Sequence, residues 1–229
     1  MNELELILTG QTSQHIHWLS DKLGIHHEMV SAYENMQAAA KAENIELKVA
    51  SGFRDFSRQL TIWNNKFNSK SIVKDVEGNT VDLSLLSDTK KIHAIMLFSA
   101  LPGASRHHWG CDIDVYAPNL LAAEQTLQLE PWEYQNNGSL YPLTLWLAKN
   151  ADKFGFYFPY DKFRGGVAAE PWHLSYQPIA ERYQKFHNLT LLEQVITESD
   201  IQGKEQLLQL LPELYQRYIS NVAPKNITE

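Results

Sequence analysis

The chain has 229 residues, 44% of them hydrophobic and 11% aromatic, with 20 lysines and arginines against 27 acidic residues and a formal net charge of −7. That length buries one sizeable core, so a single domain is expected, and without a basic block the electrostatic term behind nucleic-acid binding is missing. No apolar run is long enough to cross a bilayer, and the acidic N-terminal stretch MNELELILTG does not read as a secretory signal.

A cytoplasmic protein without nucleic-acid or membrane partners is therefore expected. The one cysteine, Cys111, excludes an intrachain disulfide and fits a reducing compartment. In chain order, Met29, Val30, Tyr33, Met36 and Ala40 recur at helical spacing and predict a helix from Ile25 to Asn44. In IELKVASGFR, Leu47 and Val49 alternate with polar neighbours, which predicts a strand ending at Gly52. Helices follow from Asp55 to Phe67 and from Ser87 to Ser99, the latter capped by Ser87 or Asp88. LPGAS breaks the chain, and CDIDVYA alternates as a strand with Asp112 and Asp114 on one face and Ile113 on the other. A helix from Pro142 to Asp152 is closed by Gly155, and GFYF and EPWHLSY are short strand candidates. From Pro178 to Tyr218 helical patterns alternate with breaks at Asn188 and Gly203. Strands and helices mix without regular alternation, so the expected class is α+β: one domain with a mainly antiparallel sheet flanked by helices, a core over residues 1–176 and a helical C-terminal extension over 177–229.

The stretch SRHHWGCDID gathers two histidines, a glycine and two aspartates into ten residues. His107 and Asp114 lie on either side of Gly110, which permits a tight approach between loop and strand, so both reach one ion. A catalytic zinc takes three His and carboxylate ligands and keeps a fourth position open. The third ligand is sought in AAEPWHLSY. Strict alternation puts Glu170 and His173 on opposite faces, so a bend, made plausible by Pro171, is needed to bring both to the site. His173 then binds the metal while Glu170 stays off it and activates water.

Together, SRHHWGCDID and EPWH resemble the S-x-H-x-x-G-x-x-x-D and E-x-W-H signatures of the LAS metallopeptidases, the zinc D-alanyl-D-alanine carboxypeptidases and dipeptidases of the VanY and VanX type. SGFRDFSRQ resembles that family's upstream S-G-[YF]-R-x-x-x-x-Q segment. The three blocks stand in the family's order over roughly residues 45–180. Each block is weakly specific alone; three in order are strongly so. The resemblance implies Zn2+ held by His107, Asp114 and His173, Glu170 as general base, Arg54 beside the scissile carbonyl, and Ser105 and Gln59 as neutral donors around the substrate end. Read alone, Arg54 also suits a structural ion pair. Tyr176 either lines the substrate channel or packs behind the metal.

Asp112 departs from the family pattern, in which a small residue is frequent. It either supports a metal ligand from behind or forms an ordinary salt bridge. Cys111 reads as a small buried apolar residue rather than a nucleophile. His108 points away from the face used by His107, and His15, His17, His26, His27, His93 and His187 read as structural or surface residues. The aromatic group Trp132, Tyr134, Tyr141 and Trp146 reads as packing.

The resemblance implies a peptidoglycan-derived peptide as substrate and release of its terminal D-Ala. With the cytoplasmic expectation, this points to an L,D-carboxypeptidase of recycled tetrapeptides. The alternatives are a D,D-carboxypeptidase, a D-Ala-D-Ala dipeptidase, or a non-catalytic zinc-bearing module that binds muropeptides. Specificity is expected in the loops Asn68 to Ser84 and Pro118 to Ser139. The C-terminal segment is either a dimer interface or a cover on the core, and the oligomeric state is not legible.

Overall fold

The computed structural model of the protein describes residues 1–224. The last five residues of the expected C-terminal extension lie outside the described residues. The strands are β1 (Ile16–Ser20), β2 (Leu23–His26), β3 (Lys48–Ser51), β4 (Asp112–Tyr116), β5 (Phe156–Tyr157) and β6 (His173–Tyr176). The α-helices are α1 (Glu3–Leu8), α2 (Val30–Ala42), α3 (Phe56–Phe67), α4 (Asp88–Met96), α5 (Pro131–Tyr134), α6 (Tyr141–Asn150), α7 (Gln177–Gln184), α8 (Leu189–Glu198) and α9 (Lys204–Leu214). The central sheet has the order β3-β4-β6-β5 with antiparallel neighbours, and β1 and β2 form a separate antiparallel pair. The expected α+β class with antiparallel sheets and flanking helices is thus observed.

The pairing of β4 with β6 places the site. Asp114 lies opposite His173 and Asp112 opposite Ser175. With a side-chain period of two, these four polar residues share one face while Ile113, Val115 and Leu174 occupy the other, fully buried.

The helix expected from Ile25 begins later, because Ile25 and His26 belong to β2 and pair with His17 and Ile16. An apolar residue followed four positions later by another fits the start of a helix and the end of a buried strand alike, and pairing with β1 decides for the strand. In α3 the Asp55 carboxylate accepts from the Arg58 backbone N–H at 2.7 Å and caps the helix. Its buried stripe is Gln59, Trp63 and Phe67. Asn188 caps α8 in the same way, accepting from Leu191 N at 3.0 Å.

Two apolar clusters result. One packs the central sheet against α2, α6 and α7. The other joins Trp63 of α3 and Ile95 of α4 to Ile196 of α8 and Leu211 of α9. After α9 a wide turn over Tyr215–Ile219 brings Tyr218 back to α4, where its hydroxyl meets His93 Nδ1 at 2.9 Å.

Gly110 ends the tight turn Arg106–Trp109 with φ +68°, and a Cβ there would lie 2.4 Å from Ile16 Cδ1 and 3.1 Å from His26 N. Both the left-handed conformation and the space demand glycine. Gly110→Ala should lower stability by ~1–3 kcal/mol in denaturant unfolding; an unchanged midpoint would mean that the turn relaxes at no cost.

Candidate active site

The turn before β4, the face of β4 and the start of β6 converge on three side chains. His107 Nε2, Asp114 and His173 offer ligand atoms that all lie within 4.8 Å of one another, and all three residues are buried. His107 Nε2 is 3.5 Å from Asp114 Oδ2, and His173 Nδ1 is 3.2 Å from Asp114 Oδ1.

The other nitrogen of each ring is taken. His107 Nδ1 lies 3.0 Å from Gly52 O and 3.1 Å from Asp112 O, both acceptors, so it carries the proton and leaves Nε2 with a lone pair. His173 Nε2 lies 3.0 Å from Asp112 Oδ1, which turns Nδ1 toward Asp114. The two oxygens of buried Asp114 face one ring nitrogen each, Oδ1 facing His173 Nδ1 and Oδ2 facing His107 Nε2. Two oriented imidazoles with a carboxylate set between them, their ligand atoms converging within 4.8 Å, fit a divalent metal of the zinc type with an open position.

His173 is surrounded by three carboxylates, those of Asp112, Asp114 and Glu170. Burial alone would lower its pKa, but hydrogen bonds to Asp112, Asp114 and Glu170 outweigh burial and raise it well above the ordinary histidine value. His107 is instead lowered to about 4, chiefly by burial. A metal must therefore displace the proton on His173 Nδ1, and uptake should release a proton.

Glu170 reaches the site through the bend that the sequence requires. Residues 170–173 form a turn in which His173 N donates to Glu170 O at 3.1 Å, and Glu170 N donates to Tyr160 O at 2.9 Å. Its Oε2 is 3.2 Å from His173 Nδ1, and burial raises its pKa. Arg54 enters from the segment after β3: Nη1 donates to Gln59 Oε1 at 2.9 Å and Nη2 to Ser51 Oγ at 3.2 Å, while buried Nε has no partner. A cavity of about 200 Å³ is lined by Arg54, Ser105, His107, Asp114, Glu170 and His173, among others.

The structure moves two expected substrate-binding residues away from that cavity. Gln59 is fully buried, with one end of its amide on Arg54 and the other donating to Ala100 O at 2.7 Å, so it stands behind Arg54. Tyr176 packs its ring on Phe156 at 5.2 Å and closes on Gly155, outside the cavity lining. The β6 alternation explains this: Tyr176 is three positions beyond His173 and faces the opposite way. Ser105 remains on the cavity wall.

Asp112 takes the supporting place behind the ligands. Its Oδ1 accepts from Arg106 Nε at 2.7 Å as well as from His173, and its Oδ2 accepts from Ser175 Oγ at 3.0 Å. Arg106 is 4% exposed; its Nη2 donates to Ser175 Oγ and Tyr157 Oη, and its guanidinium stacks on Trp109 at 4.8 Å. Sequence reasoning passed over Arg106, although an arginine inside a run of buried ligands is itself a signal that a buried carboxylate needs a cation. Cys111 donates to Asp112 Oδ2 at 3.3 Å, and burial pushes its pKa up, so the thiol should resist alkylation until the protein unfolds. Rapid labelling by iodoacetamide under native conditions would contradict that burial.

His108 is structural: Nε2 accepts from Gly103 N at 3.0 Å and Nδ1 donates to Arg54 O at 2.6 Å. Among the described residues His26, His27 and Glu28 also cluster. His26 has no free lone pair there, because Nδ1 accepts from Glu28 N and Nε2 meets Tyr183 Oη.

A family model described as VanY, D-alanyl-D-alanine carboxypeptidase, matches residues 22–179. The chain belongs to the VanY family. This VanY-family chain is accordingly a metallocarboxypeptidase. An uncharacterised protein of Haemophilus influenzae is 38% identical to it over 121 residues, 52% of this chain and 92% of that one. The putative carboxypeptidase YodJ of Bacillus subtilis is 29% identical over 156 residues, 66% of this chain and 46% of its own. Among solved structures, a mutant of the vancomycin-resistance D,D-pentapeptidase VanY in complex with Zn(II) matches with a TM-score of 0.51 and 26% identity, over 80% of this chain and 93% of that one. The LD-carboxypeptidase LdcB matches with a TM-score of 0.50 and 25% identity, over 77% of this chain and 72% of that one. Among the described residues no helix is long and apolar enough to cross a membrane.

Proposed function

We propose that this VanY-family chain is a zinc carboxypeptidase that removes the terminal D-Ala from peptidoglycan-derived peptides, with the L,D bond of tetrapeptides as its preferred target in cytoplasmic recycling. The observation that carries the reading is the Glu170 carboxylate 3.2 Å from His173 Nδ1, in the cavity that Arg54 also lines. A module that only bound muropeptides has no need of a base and an oxyanion donor side by side.

In this reading His107, Asp114 and His173 hold Zn2+, which when bound polarises the scissile carbonyl and acidifies a water. Glu170 takes the proton from the attacking water and passes it to the leaving amine. Its burial raises its pKa and so strengthens it as a base. Arg54, held by Gln59 and Ser51, presents its guanidinium to the oxygen on which negative charge develops. Ser105 on the cavity wall supplies a neutral donor to the substrate end. His108 fixes the Arg54 backbone by donating to its carbonyl.

The likenesses to the LD-carboxypeptidase LdcB and to the D,D-pentapeptidase VanY are of equal strength; the tetrapeptide preference is supported by the single buried cysteine, which suits a reducing compartment. There, a D,D-carboxypeptidase would consume the pentapeptides that wall synthesis requires. The test is mass spectrometry of products from equal amounts of tetrapeptide and pentapeptide, with a chelated control. Chelator-sensitive loss of one alanine from the tetrapeptide is expected. Loss from the pentapeptide alone would replace the L,D reading with a D,D one, and no loss from either would refute the hydrolytic reading.

A further inference from the structure

Leu129 lines the cavity that holds the metal ligands, and its φ of +55° is a conformation that leucine rarely adopts. The cause is Glu133, on α5. Its carboxylate is fully buried and accepts from Gln128 N at 3.1 Å, from Glu130 N at 3.0 Å and from Gln125 Nε2 at 3.3 Å. The backbone N–H groups immediately before and after Leu129 thus converge on one carboxylate, which obliges the chain to curl around it and sets Leu129 at the cavity lining. Among the described residues no cation pairs with Glu133, and its carboxylate contacts are these N–H groups. The curl is tied on its far side as well: Glu130 pairs with Lys74 Nζ at 2.7 Å, joining this loop to the one between α3 and α4.

Leu129 is partly buried: it packs against the edge of the central apolar cluster and also lines the cavity. A strained residue, held by a dedicated buried carboxylate and aimed into a reaction cavity, is a device for placing an apolar wall.

We propose that Leu129 is a specificity-determining residue, and that Glu133 is the positioning residue that holds it. The Leu129 side chain limits the room for the peptide residue that precedes the scissile bond. This rests on the carboxypeptidase reading above, and the test separates the two.

Two tetrapeptides that differ only at the penultimate position, one with alanine and one with lysine, are compared by kcat/KM on the zinc-loaded protein. Leu129→Gly relaxes the backbone and removes the wall. It should raise the lysine-to-alanine ratio by ~10-fold or more, on the scale that one or a few methylenes set in an apolar pocket. Leu129→Met, which refills the space, should return the ratio to that of the native chain. Glu133→Ala should shift the ratio in the same direction as Leu129→Gly, and Glu133→Gln, which keeps one acceptor oxygen, should lie between. If Glu133→Ala fails to fold, the Leu129 pair alone decides. Identical ratios for the native chain and Leu129→Gly would overturn the proposal. Calorimetric binding of the same two peptides to the zinc-loaded protein provides the separation: no cleavage, but binding whose lysine-to-alanine ratio responds to Leu129→Gly, refutes hydrolysis and upholds the wall. Cleavage and binding both indifferent to Leu129 refute the wall alone.

Discussion

Glu170→Gln takes up zinc like the native chain and turns over ~100- to 10,000-fold more slowly, the range that loss of a positioned acid–base group produces. The reason is the division of labour in the cavity. Glu170 lies within 3.2 Å of His173 Nδ1 but is not one of the three residues whose ligand atoms converge, so its amide leaves the metal ligands in place. His173→Ala removes a ligand and should lose both metal and turnover. Metal content by atomic spectroscopy alongside single-turnover rates measures the two properties separately. The pH profile supplies a second readout. Burial raises the Glu170 pKa, so the acid limb of kcat/KM, where the base is protonated and idle, should lie at higher pH than an ordinary glutamate would give. Native turnover by Glu170→Gln would end the general-base mechanism.

Asp112→Ala should be the most destabilising change near the site, at ~3–5 kcal/mol, because it leaves the Arg106 guanidinium buried without its carboxylate. Burial alone would raise the Asp112 pKa, but Arg106 and the hydrogen bond to His173 outweigh it and hold the carboxyl well below the usual range. A carboxyl depressed in the folded state contributes stability above its unfolded value of ~3.9, and that contribution is lost as pH falls toward the folded value. Asp112→Ala should therefore flatten the acid side of the stability curve, as measured by urea unfolding at a series of pH values. It also frees His173 Nε2, so zinc affinity should drop ~10- to 100-fold. The double variant Asp112→Leu with Arg106→Met separates the effects: much of the stability returns, since no charge is stranded, while the metal affinity stays low. Full recovery of both would show that Asp112 does not orient His173.

The residues that meet at the centre were legible because each depends on a local rule. Alternation put Asp112 and Asp114 on one face of β4, and the spacing of Glu170 and His173 demanded a bend that the turn over 170–173 provides. The start of α3 at Asp55 was legible, but the side-chain cap expected at Ser87 or Asp88 is not formed: Ser87 stands at the N-cap of α4 without a capping hydrogen bond, and it is Asp55 that caps its helix. What escaped depends on partners distant in the chain. The β1–β2 pair was hidden because Ile25 and Met29 satisfy helical spacing, and only pairing with Ile16 and His17 excludes it. Arg106 acquires its meaning from Asp112, Tyr157 and Ser175. Gln59 sits in a shared motif yet faces Arg54 and Ala100, which no spacing reveals.

Tyr218 and Ile219 line the cavity, although they follow the matched segment 22–179 by dozens of positions. The chemistry and its enclosure are thus inherited from different stretches of the polypeptide. A graft of the family segment into another scaffold would carry His107, Asp114, His173 and Glu170, yet leave the chamber with a side missing. The converging side chains are portable in this architecture; the closure of the cavity over them is not.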